Sequence, residues 1–423
     1  MVAELNAGLL AQAKSARQAA RRLAGLSTTV KNQALEAIAA ALLREETAII
    51  AANRLDLERA RDGGLADAPR SRLELTPAKI AAIAADVRSV ARLDDPVGEV
   101  IDGRRLPNGL NVSRRRVPLG VIAAVFESRP NVTIDIAALC LKSGNACVLR
   151  GGSEAIRSNT ILARIAVAAE TEAGVPAGAL QFIEDTDRAL VGELLSLRGQ
   201  IDLVVPRGGA ELIRFVAENA TMPVLTGGVG VCHTYVDRAA DLEKAVAIAV
   251  NAKMRNWSIC NALDTLLVHA AVAEAFLPRL AAAWRAAGVE LRADDRALAA
   301  IGEGAGAVRA APDDFGREFL APVAAVRVVD SLDAALDHIA EHGSGHSDAI
   351  LTEDASAARR FTDEVDTAVA YVNASTQFTD GAQFGLGAEI IDSTQKTIAR
   401  GPVGLREITT YKWIVIGDGQ TRP

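Results

Sequence analysis

The sequence predicts an α/β protein with two doubly wound α/β domains and a small β-element for self-association. Three observations carry that prediction. From Pro118 onward, short apolar runs alternate with helical patterns, the order that builds a parallel sheet covered on both faces. A second series of the same kind begins at Val231. Outside both series lie a polar hairpin pattern, Val97 to Val117, and a terminal apolar run, Tyr411 to Ile416, with little chain left to cover it.

Composition agrees with this class. Half of the 423 residues are apolar and 23% are charged, as in globular proteins, and the length calls for two to three domains rather than one core. The net charge is −7, with Lys/Arg interleaved among Asp/Glu, so the chain offers no nucleic-acid footprint. Arg114-Arg115-Arg116 is short and reads as a solvated face or a subunit contact. Met1 to Arg22 is an Ala-rich amphipathic helix without the apolar centre of a signal peptide, and no run approaches the ~18–20 uncharged apolar residues of a membrane span. A cytoplasmic protein with no membrane partner is expected. Cys140, Cys147, Cys232 and Cys260 make no CxxC pair, which suits reduced thiols. His338 and His342 stand i, i+4 on a predicted helix, but no HExxH and no third ligand accompanies them, so no metal site is expected.

Taken in order, residues 1 to about 93 read as helices, with Leu35, Ile38, Ala39 and Leu42, then Ile80, Ile83, Ala84 and Val87, at helical spacing. Thr76-Pro77 starts the second of these and Asp94-Asp95-Pro96 ends the region. Pro107-Asn108-Gly109 turns the hairpin. Strands are predicted over 120–126, 146–149, 180–183 and 201–205, with helices over 132–142 and from Gly151-Gly152-Ser153 to about 172. The second series gives strands at 231–236, 265–269, 326–329, 349–351 and 370–373, and helices at 242–253 and 272–287. The stretch from Asn373 to Gly387 is polar, glycine-rich and too long for a simple turn, which marks it as functional.

Ligands on such sheets sit at the carboxyl ends of strands. Two ends pair glycines with an arginine where a helix begins: Val148-Leu149-Arg150-Gly151-Gly152-Ser153 and Val204-Val205-Pro206-Arg207-Gly208-Gly209. Free backbone N–H groups and the helix dipole can meet a phosphate there, although neither is the GxGxxG fingerprint and either can be only a turn. The other chemistry-bearing stretch is Asn251 to His269. It presents Cys260 on a polar loop between a helix and a strand. A thiol so presented is a nucleophile where cations or oriented N–H groups favour its thiolate, and otherwise a small buried hydrophobe.

Several blocks together carry a resemblance. Glu127-Ser-Arg-Pro-Asn-Val-Thr133, Leu139-Cys-Leu-Lys-Ser-Gly-Asn145, Ile201-Asp-Leu-Val-Val-Pro-Arg-Gly-Gly209, Tyr371-Val-Asn-Ala-Ser-Thr376, Phe384-Gly-Leu-Gly-Ala-Glu389 and Ser393-Thr-Gln-Lys396 resemble the gamma-glutamyl phosphate reductases of the aldehyde dehydrogenase superfamily, in order along essentially the whole chain. The resemblance implies the aldehyde-dehydrogenase-like fold and NADPH-dependent reduction of L-glutamyl 5-phosphate to glutamate 5-semialdehyde, the second step of proline biosynthesis. It implies Cys260 as nucleophile and Asn131 as side-chain donor to the oxyanion; an ordinary helix N-cap is the other reading of Asn131. The NADP(H) cofactor would be met by Arg150 and Gly151 at the adenosine end and by Pro206, Arg207, Gly208 and Gly209 at the pyrophosphate. Glu318 would hold the nicotinamide ribose and Phe384 would lie beside the ring, where core packing is its alternative. Arg129, Asn256, Trp257 and Asn261 would receive the acyl phosphate. A homodimer or homotetramer is implied, and transient association with the kinase that forms the labile acyl phosphate stays open.

The resemblance implies a division into a cofactor domain (1–99 and 117–230), a catalytic domain (231–403) and an oligomerisation element (100–116 and 404–423), with the site in the crevice between the two large domains. The sequence departs from the family pattern at Thr226-Gly-Gly-Val-Gly230, at Arg255-Asn256-Trp257, at Asp264 and at Ile391-Asp392. No general-base Glu is visible near Cys260, which suits a reductase whose thioester must outlast water. The departures leave the usual substrate, a diverged relative that takes another acyl phosphate, and, as a further alternative, a non-catalytic protein that kept the fold.

Overall fold

The computed structural model of the chain describes residues 6–64, 67–302 and 306–422. It forms two compact units. One runs to Thr226 and takes in Gly385–Ile391 and the chain from Val403; the other holds Gly227–Phe384 and Asp392–Pro402.

The first unit opens with helices at Ala7–Leu23, Thr28–Arg44, Glu46–Asp62, Asp67–Leu73 and Pro77–Arg92. The starts follow ordinary capping chemistry: Asn6 accepts from the Leu9 N–H, and Thr76 from the Lys79 N–H with Pro77 at the first helical position. The predicted apolar positions Leu35, Ile38, Ala39, Leu42, Ile80, Ile83, Ala84 and Val87 are all buried. Strands β1 (Val100–Arg105), β2 (Asn111–Pro118), β3 (Val121–Phe126), β4 (Ala146–Gly151), β5 (Leu180–Phe182) and β6 (Leu203–Arg207) follow. The last four form a parallel sheet in the order β5-β4-β3-β6. Every residue of β3 and β4 is buried, which is why they read as unbroken apolar runs rather than alternating ones. The chain moves outward from β3 to β5 and then returns to β6 on the other side of β3. The carboxyl ends of β3 and β6 therefore flank a topological switch point, the place where such sheets take ligands.

The second unit contains β7 (Cys232–Val236), β8 (Leu263–His269), β9 (Glu290–Ala293), β10 (Val308–Arg309), β11 (Val323–Val329), β12 (Ser347–Leu351) and β13 (Val369–Val372). They form one parallel sheet in the order β10-β9-β11-β8-β7-β12-β13. Its core gathers Leu263, Leu266 and Val268 from β8 with Phe276, Leu277, Leu280 and Trp284 from helix Ala270–Ala286. A two-residue antiparallel bridge joins β14 (Asp392–Ser393) to β15 (Gly401–Pro402).

The last strand, β16 (Thr409–Ile416), pairs antiparallel with β2, Trp413 opposite Arg114. Together with β1 they make a three-stranded sheet within the first unit. The terminal strand thus has a partner inside its own chain and forms the edge of that sheet. The Arg114 guanidinium binds Asp102 and lies 5.0 Å and 5.5 Å from the ring centres of Tyr411 and Trp413, so the arginine run serves as a cross-strand latch.

Other differences from the expected division have local causes. Segment 227–230 clusters with the second unit because it packs on the Cys260 loop, and 385–391 with the first, where Arg207 donates to the Ile390 carbonyl. Strands β9 and β10 were not predicted; at four and two residues they are too short to show a period. Among the described residues no helix is long and apolar enough to cross a membrane.

Candidate active site

Helix Leu242–Met254 starts on an Asp241 cap and ends just before the loop that carries Cys260 into β8. Cys260 is half-buried, whereas Cys140, Cys147 and Cys232 are buried; all four are free thiols. The loop is held from several sides. Gln377 donates its amide to the carbonyls of Ala252 (2.9 Å) and Asn256 (3.0 Å) and accepts from Arg255 at 3.2 Å. Thr376 donates to the Asn261 carbonyl at 2.7 Å, and Asn261 donates to the Thr379 carbonyl at 2.8 Å. Asn256 accepts from the backbone and hydroxyl of Ser258, closing the first turn of the loop. Residues 376–379 of the polar stretch therefore splint the Cys260 loop.

Backbone packing completes the splint. A Cβ placed on Gly230 would lie 1.8 Å from the Cys260 carbonyl oxygen, so no other residue fits there without moving the loop. Glu318, half-buried and with its carboxyl pKa raised by burial, accepts from the Gly230 N–H at 3.2 Å. Behind the loop, Lys253 and Asp264 form a buried ion pair at 3.3 Å, and Asp264 also accepts from the Phe319 N–H. Burial pushes the Asp264 carboxyl up to about 6 against the pull of Lys253, and lowers the Lys253 ammonium.

All this chemistry lies at the amino-terminal edge of the second sheet. Cys232 opens β7, Cys260 precedes β8 and His346 precedes β12. Cys260 is carried on a helix-to-strand loop, which places it at the amino end of its strand rather than the carboxyl end at which ligands were expected. Cys232 donates its thiol to the Cys260 carbonyl at 3.2 Å, and burial holds its pKa up, so it stays protonated. His346 is buried and its pKa is lowered to about 4 by desolvation, so the imidazole is neutral.

In the first unit the expected cofactor residues stand at the carboxyl ends of β4 and β6. Pro206 and Arg207 end β6, and Gly209 is the uncapped N-terminal boundary of helix Ala210–Asn219. Its N–H is already used: the Glu127 carboxylate, at the end of β3, accepts it at 2.9 Å. The Gly209 N–H is thus already engaged by an acidic oxygen, from a residue that sequence reasoning missed. Arg207 reaches the Ile390 carbonyl, and Arg150, 8% exposed, reaches the Thr186 carbonyl at 3.1 Å. Both guanidiniums brace loops rather than standing free. Gly151 is buried at the end of β4.

The Glu127–Asn131 turn is built on Ser128, which holds a left-handed φ of 44°. Glu154 accepts from its N–H at 2.6 Å and from its hydroxyl at 2.9 Å. Arg129 is half-buried within the turn. Asn131 is the first helical residue of Asn131–Ser143, and Pro130 is the cap; the N-cap reading of Asn131 fails. Its amide donates to Asp135 at 2.8 Å, and Asp135 is pushed up to about 6 by burial. Phe384 is 43% exposed and Trp257 39%, so neither is a core residue.

The second unit thus brings together Cys260, Asn256, Trp257, Asn261 and Glu318, while Asn131, Arg129, Arg150, Gly151, Pro206, Arg207, Gly208 and Gly209 belong to the first. The rings of His338 and His342 lie 4.5 Å apart, tilted by 49°, and Arg327 stands 3.2 Å from His338 Nδ1. Sequence reasoning overlooked Gln377, Gly230, His346 and Lys253. Gln377 lay inside a stretch already marked as functional; His346 carried no periodic or motif signal.

A thiol on a splinted loop in one α/β unit, with a phosphate-type helix start in the other, defines a class. The chain belongs to the aldehyde dehydrogenase family, whose model matches residues 6–301 and 309–414. Within that family its relatives are gamma-glutamyl phosphate reductases. It is 55% identical to the one from Dehalococcoides mccartyi over 413 residues, 97% of each chain, and 55% identical to that of Roseiflexus castenholzii over 96% of this chain and 97% of that one. The crystal structure of the Thermotoga maritima enzyme superposes with a TM-score of 0.95 at 46% identity, covering 98% of this chain and all of the other.

Proposed function

We propose that this chain reduces L-glutamyl 5-phosphate to L-glutamate 5-semialdehyde with NADPH, releasing phosphate, as the second step of proline biosynthesis in the cytoplasm. The observation that carries the reading is the half-buried Cys260 on its splinted loop, in a chain 55% identical to reductases of this name over nearly its whole length. The Cys260 thiolate attacks the acyl carbon. The C–O bond to phosphate breaks and a thioester forms. The nicotinamide, when bound, supplies the hydride that converts the thioester to the aldehyde. Collapse returns the thiolate to Cys260. The Asn131 amide and the Cys260 N–H are assigned to the oxyanion of both tetrahedral species. Departures at 226–230 and 255–257 are read as lineage variation around the same substrate, since Gly230 is required by close packing on Cys260 rather than by flexibility.

The cofactor fits the residues present. The Gly209 N–H already binds one carboxylate oxygen, and exchange of Glu127 for a pyrophosphate oxygen keeps that hydrogen bond. Gly208 and Gly209 are assigned to the pyrophosphate, Arg150 and Gly151 to the adenosine end, and Glu318 and Phe384 to the nicotinamide ribose and ring. Arg129, Asn256, Trp257 and Asn261 are assigned to the substrate. The sheet β1-β2-β16 is assigned to self-association as a dimer or tetramer, since Tyr411, Trp413, Val415 and Ile416 are each at least 46% exposed. A kinase that makes the acyl phosphate is a fitting transient partner.

The reverse reaction tests the reading. With glutamate 5-semialdehyde, NADP⁺ and inorganic phosphate, NADPH should form, and it should not form at steady state when phosphate is omitted. Phosphate-independent turnover, or none in a folded protein that binds NADPH, would contradict it.

A further inference from the structure

The mechanism leaves His346 and Asp392 unused, yet both stand at the nucleophile. A ring nitrogen of His346, the sulfur of Cys260 and a carboxylate oxygen of Asp392 all lie within 4.8 Å of one another. These residues come from three separate elements: the loop before β8, the residue before β12, and the short bridge of β14 with β15. His346 is 2% exposed. Its Nδ1 lies 2.9 Å from Ser347 Oγ, which continues to Thr379 Oγ1 at 2.6 Å and to Tyr371 Oη at 2.8 Å. Its Nε2 has no hydrogen-bond partner among the described residues.

A buried imidazole held through one nitrogen by a hydroxyl chain, with its other nitrogen unpartnered, is the arrangement of a metal-ligating histidine. Sulfur, imidazole nitrogen and carboxylate oxygen are the donors that suit a borderline-soft divalent cation, of which Zn²⁺ is the type. Tetrahedral Zn²⁺ with bonds of ~2.0–2.3 Å wants its ligand atoms ~3.3–3.6 Å apart. The cluster therefore has to close by no more than ~1.5 Å. Cys260 and Asp392 are only half-buried and can supply that movement. Among the described residues this is the group that can offer three such donors.

We propose that Cys260, His346 and Asp392 form a reversible binding site for a thiophilic divalent cation, and that its occupation blocks the nucleophile. On binding, the Cys260 S–H bond breaks, a sulfur–metal bond forms, and the proton goes to solvent. The sulfur lone pair that would attack the acyl carbon is then committed to the metal. The inhibition rests on the role of Cys260 proposed above; the binding does not.

The full-length protein, stripped with a chelator, is titrated with Co²⁺ as an optical probe and with Zn²⁺ against a chromophoric chelator. The site predicts a thiolate-to-cobalt charge-transfer band with visible d–d bands of tetrahedral intensity, displaced by one equivalent of Zn²⁺ per chain. Asp392→Asn, at a half-buried position where folding is least at risk, should weaken Zn²⁺ at least tenfold, as should His346→Asn. Inhibition of wild-type turnover by Zn²⁺ should be reversed by EDTA and should shift to higher metal concentration in both variants. Absence of the thiolate–cobalt band in folded wild-type protein overturns the proposal, and so does Zn²⁺ affinity unchanged in Asp392→Asn. Because the cobalt band needs no turnover, it separates failure of the site from failure of the enzymatic reading.

Discussion

At Cys260 the thiol is useful only because of atoms in other segments. Its peptide is fixed by Gly230, its loop by Gln377 and Thr376, and its partner sulfur at Cys232 stays protonated. Replacing Cys260 by Ala should abolish turnover and leave NADPH binding, followed by nucleotide fluorescence, unchanged. Asn131→Ala should cost ~10²–10³ in kcat, the size of one lost oxyanion donor. A loss below tenfold would leave Asn131 as a first-turn residue that merely satisfies Asp135. The sequence singled out Cys260 by its polar loop between a helix and a strand, and Asn131 by its place in the Glu127–Thr133 block. Glu127 was legible only as part of the same block. Its carboxylate on the Gly209 N–H joins residues 82 positions apart, and neither period nor spacing reports that pairing.

The elements themselves were easier to read than the loops between them. Strands β3, β4, β7, β8, β12 and β16 fall within two residues of their predicted bounds; burial makes β3, β4 and β8 near-continuous apolar runs, whereas β16 was read from an apolar run that stays largely exposed. What the pattern could not carry was function by contact. The 226–230 segment read only as a departure from the family pattern, and its Gly228 and Gly230 turn out to be points of close packing. Gly230→Ala would set a methyl group against backbone, which cannot give way like a side chain, so the Cys260 loop must shift. We expect kcat to fall by about 10²-fold with the circular dichroism spectrum retained, since ~1 Å of misplacement carries that cost. Gln377→Ala should lower unfolding stability by ~1–3 kcal/mol, the usual penalty for stranding buried polar partners, and lower kcat with it. Denaturant midpoints measured beside kcat check both.

Across the whole molecule, stability and assembly are also set by groups far from the chemistry. Glu170 is buried beside β5, and desolvation pushes its carboxyl up to about 8 against the pull of the Leu180 N–H. The folded state therefore holds a proton that the unfolded chain, titrating at ~4.3, releases. This contribution to stability is full below that lower value, falls as pH rises toward 8, and is flat above. Glu170→Gln should accordingly match wild type in Tm at pH 4.5 and exceed it at pH 8; a difference independent of pH would contradict the sign. On the outer strand, Val415→Asp should lower the mass seen by light scattering if the β1-β2-β16 sheet joins subunits.

The central claim is that the acyl group passes through Cys260, and a single turnover tests it most directly. Enzyme is mixed with NADP⁺ and glutamate 5-semialdehyde without phosphate, quenched rapidly, and mapped by peptide mass spectrometry while NADPH is counted. The account predicts a burst of NADPH equal to the number of active sites, an acyl group on the peptide that contains Cys260, and neither signal in Cys260→Ala. A burst that survives in Cys260→Ala, or an acyl group found on another residue, would contradict it.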